Sequence, residues 1–159
     1  MKEVNMPNGA RRILCLDLEG SGEYPEFQAY RYFARKDEVL RLNAWHDELP
    51  TVEDFSHLVL SGSTCSIVDD DEIVAPCCEL VRKCVNAGRP VLGICYGHQM
   101  IARALLGKSH VRRSLTPEAG WLEITTRDGH ADIFGKLGSR FFTFVGHFDE
   151  VCDLPPDWK

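Results

Sequence analysis

Short apolar runs alternate with helical patterns along the chain. Residues 12–16, 57–60 and 90–94 each form a nearly continuous apolar run that ends at small or polar residues. Such runs are typical of strands that are buried on both faces of a parallel sheet. Residues 121–125 and 141–145 predict two further strands.

A helix is predicted between the second and third of these strands. Its apolar residues recur at helical spacing and form one face, which consists of Ile73, Cys77, Leu80, Val81 and Cys84. The acidic run Asp69–Asp71 is predicted to cap the start of this helix, and Gly88 is predicted to end it before Pro90.

Two other segments carry a helical pattern. Residues 98–106 follow the third strand directly and end at Gly107, and residues 27–42 are also predicted to be helical. Strands that alternate with helices favour a parallel α/β sheet with right-handed crossovers. No internal repeat or low-complexity run interrupts the 159 residues, so we expect one domain over 12–159 behind a tail at 1–11.

Charge and composition exclude several classes of protein. Lys and Arg total 18 against 24 Asp and Glu, which gives a net charge of −6 and no basic stripe for a nucleic acid. No apolar run is long enough for a transmembrane helix, and the N-terminus lacks the apolar core of a secretory signal. The seven cysteines follow no knot-like spacing. We therefore expect reduced thiols in a cytoplasmic protein that binds neither nucleic acid nor membrane.

The segment that carries chemistry is residues 91–102, in which an apolar strand leads into Cys95 and a helix follows at once. A sharp strand–turn–helix of this kind presents a nucleophile above a sheet. Gly93 and Gly97 are expected to keep the turn without side-chain clashes. The helix N-terminus is expected to lower the pKa of the Cys95 thiol and to aim backbone N–H groups at developing negative charge.

The alternatives for this segment are a buried structural thiol and a metal site. Cys95 and His98 have a Cys-x-x-His spacing, but no second pair of ligands follows at a suitable spacing, so zinc is not expected. The acidic run 69–72 has no EF-hand spacing and is expected to be a solvated, helix-capping cluster of charges. We therefore expect no bound metal.

The string from Gly93 to Gln99 resembles the nucleophile elbow of class I glutamine amidotransferases. Other stretches resemble the family in the same order, namely its first strand at 13–17, the loop with an oxyanion glycine at 60–63, a Glu-x-Gly-Trp turn at 118–121 and a Ser-His-x-Asp-x-Val…Leu-Pro segment at 146–156. The match spans nearly the whole chain, and its detail is closest to the stand-alone branch that includes γ-glutamyl peptidases. It implies a flavodoxin-like three-layer α/β sandwich with a mostly parallel central sheet.

The resemblance also implies a role for each matching residue. Cys95 would be the nucleophile that attacks the γ-amide carbonyl of glutamine or of a γ-glutamyl peptide. The backbone N–H groups of Gly62 and Tyr96 would form the oxyanion hole. The substrate would be held by Gln99 and by the backbone around Gly146, Phe148 and Asp149. No cofactor is implied, and the implied protein partner is a synthetase subunit that accepts the released ammonia.

One motif of the family does not occur in the chain. The general base of the family is the histidine of a Phe-His-Pro-Glu string, and the glutamate of the same string is the partner of that histidine. The printed sequence contains no such string and ends at Lys159. We expect a fragment, a shortened gene product or a family member without the base. His147, with Asp149 or Glu150 nearby, is a candidate for a substitute base.

Two other functions are compatible with the sequence. The first is a non-catalytic binding or regulatory module that keeps the elbow. The second is a cysteine hydrolase of the related intracellular protease and chaperone-like group, in which histidine typically follows the nucleophile, whereas Tyr96 stands here. If a final strand and helix are missing, an open sheet edge and exposed apolar surface would favour poor solubility or oligomers.

Overall fold

The chain forms two compact units, which are described separately. The first consists of Met1–Arg113 with Asp149–Lys159, and the second consists of Ser114–Phe148. The computed structural model describes residues 11–20, 37–125, 139–156 and 158.

The sheet of the first unit has four parallel strands. These strands are β1 (Arg12–Asp17), β2 (Glu38–Asn43), β3 (His57–Leu60) and β4 (Val91–Gly93). Their order is β2-β1-β3-β4, and each neighbouring pair is parallel. This is the order of a flavodoxin-like sheet, in which ligands bind beyond the carboxyl ends of the strands. The predicted α/β fold with a parallel sheet is confirmed.

Two helices, α1 (Val74–Asn86) and α2 (Tyr96–Leu106), pack against each other. The Sγ atom of Cys78 on α1 lies 3.5 Å from the Sδ atom of Met100 on α2. The predicted apolar face of α1 is confirmed, because all of its members are buried in the core: Ile73, Cys77, Leu80, Val81 and Cys84. Short 3-10 turns at Val52–Asp54 and Lys108–His110 complete the helical elements described.

Three of the local predictions are wrong, and the first is a helix. The predicted helix at 27–42 includes Glu38–Asn43, which is strand β2, and residues 21–36 lie outside the described residues. The side chains of 38–43 are compatible with a helix or with a strand. Their backbone pairs with β1 at six positions, from Arg12 opposite Glu38 onwards, and this pairing favours the strand. Propensity is a weak prior that such tertiary pairing overrides.

The acidic run Asp69–Asp71 does not cap helix α1. The N-cap residue is Ile73, and no side chain makes a capping hydrogen bond there. Asp70 instead accepts a hydrogen bond from Lys108 Nζ at 2.6 Å and another from Arg103 on α2. The carboxylate of Asp70 therefore binds two cationic side chains and not the N–H groups of the helix, because charge-assisted hydrogen bonds are stronger than neutral ones.

A separate two-stranded sheet pairs β5 (Val111–Thr125) with β6 (Arg140–Val151). The strands predicted at 121–125 and 141–145 are confirmed as parts of these longer strands. The turn predicted at 118–121 is wrong, because these residues continue β5 through Gly120 at a φ of 133°. A glycine tolerates that angle within an extended segment, and a turn is therefore not required.

Aromatic side chains of this two-stranded sheet are exposed. Phe142, Phe144 and Phe148 alternate along β6, and each is more than 60% exposed. Trp121 on β5 meets Phe144 edge to face, with ring centroids 6.1 Å apart. Exposed aromatic patches can drive association, so the expected oligomers or poor solubility remain a prediction.

Four buried thiols, Cys78 among them, have a pKa raised by burial and make the fold sensitive to alkaline pH. Burial raises the pKa of Cys15 and Cys84 to about 11 and that of Cys77 to about 12. In the unfolded chain these thiols ionise near pH ~8.5, whereas in the folded chain they stay protonated. The stabilising effect is thus complete below about pH 8.5 and is lost as the pH rises towards the folded-state pKa values.

We therefore predict that the free energy of unfolding falls between pH 8 and pH 9.5, by about 1 kcal/mol for each buried thiol. Urea denaturation followed by circular dichroism measures this change. The Cys77→Ala variant is expected to show a shallower fall than the unmodified chain, because it has one such thiol fewer. Equal stability at the two pH values would contradict the prediction.

Candidate active site

Cys95 occupies a strained turn between β4 and α2. Its φ is 49° and its ψ is −110°, a conformation that non-glycine residues rarely adopt. Hydrogen bonds fix the backbone on both sides of it: Ile94 N donates to Leu60 O at 3.0 Å, and Gly97 N donates to Ser61 O at 3.0 Å. The elbow predicted from the sequence is therefore present, and the end of strand β3 holds it in place.

The two glycines beside Cys95 are required by close packing. A Cβ atom on Gly93 would lie 2.4 Å from the carbonyl carbon and oxygen of Gly97. A Cβ atom on Gly97 would lie 2.5 Å from the carbonyl oxygen of Leu60. Both distances are well below van der Waals contact, so the strand, the turn and the helix can approach this closely only with glycine at both positions.

The loop after β3 brings Gly62 against the candidate nucleophile. A Cβ atom on Gly62 would lie 3.6 Å from the Cβ of Cys95, an ordinary contact distance. The hydroxyl of Ser61 donates to the carbonyl oxygen of Gly62 at 2.7 Å and accepts from Leu18 N at 2.9 Å. The hydroxyl of Ser61 thus fixes the peptide group that follows Gly62 at the carboxyl edge of the sheet.

The pKa of Cys95 is shifted in the direction opposite to the one predicted. The Cys95 side chain is exposed, but partial desolvation at the elbow raises the pKa of its thiol. The backbone N–H of Tyr96 at the start of α2 lowers the pKa, as the sequence suggested, and the carboxylate of Asp149 raises it by a smaller effect. Desolvation outweighs the effect of the helix N-terminus, so the net shift disfavours the thiolate.

Gln99 and Asp149, which the resemblance assigned to the substrate, are bonded to each other. Both side chains are buried, and Gln99 Nε2 donates to the backbone oxygen of Asp149 at 2.8 Å. The Oδ2 atom of Asp149 accepts from Ser66 Oγ at 2.7 Å and from Ile67 N at 3.0 Å. A contact of either residue with a substrate remains a prediction.

Tyr96 contributes to the site through its backbone. Its side chain is 1% exposed and lies in the core. Among the described residues, none accepts or donates a hydrogen bond at its hydroxyl group. The N–H of Tyr96 at the start of α2 acts on the Cys95 sulfur, and its role in an oxyanion hole remains a prediction.

Gly146, His147 and Phe148 belong to the second unit and are described only within it. His147 Nε2 lies 3.4 Å from the Oε2 atom of Glu118. The acids nearest in sequence make other bonds, because Asp149 binds the loop after β3 and Glu150 accepts from Arg112 Nε at 2.7 Å. Strand pairing places Glu118, an acid distant in the sequence, beside His147, and a role for His147 as a substitute base remains a prediction.

Arg103 is a residue of this region that sequence reasoning missed. Its guanidinium donates to the backbone oxygen of Ile67 and, at 2.9 Å, to that of Asp69. Nothing in the sequence distinguishes it from a surface arginine of α2, because its partners are carbonyl groups of a remote loop. Within the described part of the chain, no group of three or more His, Cys, Asp or Glu residues is placed to bind a metal.

Comparison with known proteins identifies the family. The sequence model described as "Glutamine amidotransferase class-I" matches residues 14–159. The chain belongs to the class I glutamine amidotransferases. The elbow at Cys95 and the parallel sheet are therefore features of a class I amidotransferase domain, as the resemblance implied.

The curated relatives of this amidotransferase domain include two longer proteins. A GMP synthase (glutamine-hydrolyzing) of Aeropyrum pernix is 37% identical over 152 residues, which are 92% of this chain and 27% of that protein. A GMP synthase of Vibrio campbellii is 30% identical over 151 residues, 93% of this chain and 27% of that protein. The chain thus spans about a quarter of the length of these relatives.

Solved structures support the fold. A glutamine amidotransferase of Methylobacillus flagellatus matches 92% of this chain and 59% of its own, with a TM-score of 0.75 and 24% identity. One of Thermotoga maritima matches 92% of this chain and 64% of its own, with the same TM-score and 22% identity. No helix in the described part of this amidotransferase domain is long and apolar enough to cross a membrane.

Proposed function

We propose that this domain hydrolyses the γ-amide of glutamine through a γ-glutamyl thioester on Cys95. The observation that carries the proposal is the strained backbone of Cys95, which places its side chain beside the loop of Gly62. Such a conformation costs about 1–3 kcal/mol and is concentrated at active sites. The six other cysteines, all of which are described, do not have it.

The proposed reaction uses groups at the elbow. The Cys95 sulfur attacks the γ-carbonyl carbon of glutamine, and electrons move to the carbonyl oxygen. The N–H groups of Gly62 and Tyr96 stabilise this oxyanion by hydrogen bonds. When the tetrahedral intermediate collapses, the amide nitrogen takes up the proton that the thiol lost, the C–N bond breaks and ammonia leaves. Water then cleaves the thioester, which yields glutamate and restores the thiol.

No general base for Cys95 is assigned among the described residues. The thiol must lose its proton before attack, and its raised pKa leaves little thiolate at neutral pH. His147 lies 3.4 Å from Glu118 within the second unit, and a role for it as the base remains a prediction. We therefore expect the reactions of Cys95 to accelerate with rising pH, without a plateau near pH ~8.5 where an ordinary thiol has ionised.

The substrate and partner are proposed from the relatives. Both curated proteins named above are glutamine-hydrolyzing GMP synthases, so glutamine is the preferred substrate in this proposal. A γ-glutamyl peptide, which the sequence resemblance also implied, is the alternative. We further propose that the released ammonia passes to a synthetase domain or subunit outside the 159 residues.

A second function is favoured by the electrostatics of the elbow. A thiol with a raised pKa suits a site that binds a γ-glutamyl group without turning it over rapidly. In that case the domain would act as a catalytically impaired binding or regulatory module. The two functions differ in turnover but share the same binding site.

Substrate-directed labelling tests the proposed function. A chloromethyl ketone analogue of glutamine is expected to alkylate Cys95 faster than iodoacetamide does, because only the analogue places a carbonyl oxygen in the oxyanion hole. Peptide mapping by mass spectrometry reports the labelled residue, and Cys152 serves as the internal reference thiol. Both rates are measured from pH 7 to pH 10.

The expected result is selective labelling of Cys95, protection by glutamine and a rate that is still rising above pH 9. Stronger protection by a γ-glutamyl dipeptide than by glutamine would favour the alternative substrate. Labelling without release of ammonia from glutamine would favour the binding module. Equal labelling of Cys95 and Cys152 by the two reagents would contradict both functions.

A further inference from the structure

The loop of residues 61–70 is held by charged side chains from three separate parts of the first unit. Glu19, after β1, accepts from Thr64 N at 2.8 Å. Asp149, on β6, accepts from Ser66 and Ile67. Arg103, on α2, donates to the carbonyl oxygens of the same loop. This segment has no regular secondary structure, so these bonds replace the ladder that would otherwise fix it.

The peptide groups of Ile67 are bound on both sides. The N–H of Ile67 donates to the Oδ2 atom of Asp149 at 3.0 Å, and its carbonyl oxygen accepts from Arg103. The side chains of Asp149 and Arg103 are 4% and 10% exposed, so water competes little for either bond. Hydrogen bonds to charged groups contribute about 1.5–3 kcal/mol, roughly twice as much as neutral ones.

Asp149 also connects this loop to the helix of the nucleophile. Its backbone oxygen accepts from Gln99, four positions after Cys95, while its carboxylate binds the loop. Asp149 therefore links α2, which begins at the elbow of Cys95 and Tyr96, to the far part of the loop that contains Gly62, in addition to the Gly97 N–Ser61 O bond at the start of the loop. The other carboxylate oxygen, Oδ1, lies 3.3 Å from the guanidinium of Arg113 in an ion pair without a hydrogen bond.

We propose that Asp149 and Arg103 are positioning residues that hold the Gly62 loop against Cys95 and thereby set the geometry of the oxyanion hole. The proposal rests on the proposed function, since it concerns the same site. Misplacement of a reacting group by about 1 Å can reduce a rate by about 100-fold. The loss of these bonds should therefore reduce carbonyl-dependent chemistry at Cys95 without reducing the nucleophilicity of its thiol.

The test compares Asp149→Ala with Asp149→Asn. Alanine removes the Oδ2 atom that accepts both the Ser66 and the Ile67 bond, whereas asparagine can keep an acceptor oxygen at that position. We expect labelling by the chloromethyl ketone analogue of glutamine to fall about 100-fold in Asp149→Ala and to recover to within about tenfold of the parent in Asp149→Asn. Iodoacetamide labelling of Cys95 should not fall in either variant, because removing the carboxylate favours the thiolate.

Two further variants and one exchange measurement keep the test independent of folding and of the proposed function. Ser66→Ala removes a single hydroxyl from the same carboxylate, and we expect a smaller fall in analogue labelling. Glu79→Ala, which removes a surface carboxylate paired with Arg82 and Lys83, is the matched control and should change neither rate. Amide hydrogen exchange across residues 62–69 should be faster in Asp149→Ala than in the parent chain.

The outcomes separate the two proposals. Loss of analogue labelling in Asp149→Ala, recovery in Asp149→Asn and unchanged iodoacetamide rates would support the positioning role. Equal losses in the two Asp149 variants, parent-like labelling in Asp149→Ala or unchanged exchange over 62–69 would overturn it. If the parent chain shows no selective labelling, the proposed function fails, and hydrogen exchange alone then decides whether Asp149 holds the loop.

Discussion

Replacing Cys95 by alanine is expected to reduce the release of ammonia from glutamine to the uncatalysed level. The variant keeps the fold, since alanine fits wherever the cysteine Cβ fits, but no atom remains to form the thioester. Removal of a covalent nucleophile typically reduces kcat by a factor of about 10³ to 10⁶. A coupled glutamate dehydrogenase assay and an ammonia assay, run in parallel, measure the two products.

The matched control for this variant is Cys152→Ala, which removes another partly exposed thiol from the same unit. Its activity should equal that of the parent chain. Ammonia release that survives in Cys95→Ala at more than a few per cent of the parent rate would remove the thioester from the proposal.

The second large effect is expected from Gly97→Ala. The new Cβ atom would lie 2.5 Å from the carbonyl oxygen of Leu60 and 2.6 Å from its Cβ. The clash involves backbone atoms of the central strand β3, so no side-chain rotation can relieve it. Overpacking of this kind costs typically 1–3 kcal/mol, and we expect a loss of about 3 kcal/mol here because strand β3 must move. Urea denaturation measures the loss.

Gly20→Ala is the control for this substitution. A Cβ atom there would lie 3.5 Å from the side chain of Trp45, which is ordinary contact. Its stability should stay within about 0.5 kcal/mol of the parent value, as for most surface substitutions. A Gly97→Ala variant as stable as Gly20→Ala would show that the elbow can relax, which would contradict the packing described above.

The parts of the fold that could be predicted from the sequence have strong local patterns. The runs of β1, β3 and β4 are short and apolar, as is typical of a parallel sheet, although Leu92 of β4 is half exposed. Strand β2 lacked this signal: Arg41 interrupts its apolar residues and pairs with the buried Asp17 at 2.6 Å. The partner that makes an arginine suitable for this strand, Asp17, is 24 positions away in the sequence, so no local pattern indicates the pair.

Some features of the candidate site could likewise be predicted from local patterns, and others could not. The position of Cys95 could be predicted because a strand, a glycine-flanked turn and a helix adjoin in the sequence, and geometry then dictates the elbow. The direction of its pKa shift could not be predicted, since it depends on burial and on Asp149, which is distant in the chain. The bonds of Arg103 to backbone carbonyl groups could not be predicted from the sequence either, because every residue carries a carbonyl group and none is marked as a partner.

Acid quenching after mixing with glutamine tests the central claim most directly. The chain is mixed with excess glutamine at pH 9, quenched within the turnover time and digested with pepsin at low pH, where thioesters persist. We predict a γ-glutamyl group on the peptide that contains Cys95. This group should be absent from the Cys95→Ala variant and should be removed by hydroxylamine. Ammonia release without any acyl group on that peptide, or an acyl group on a different cysteine, would contradict it.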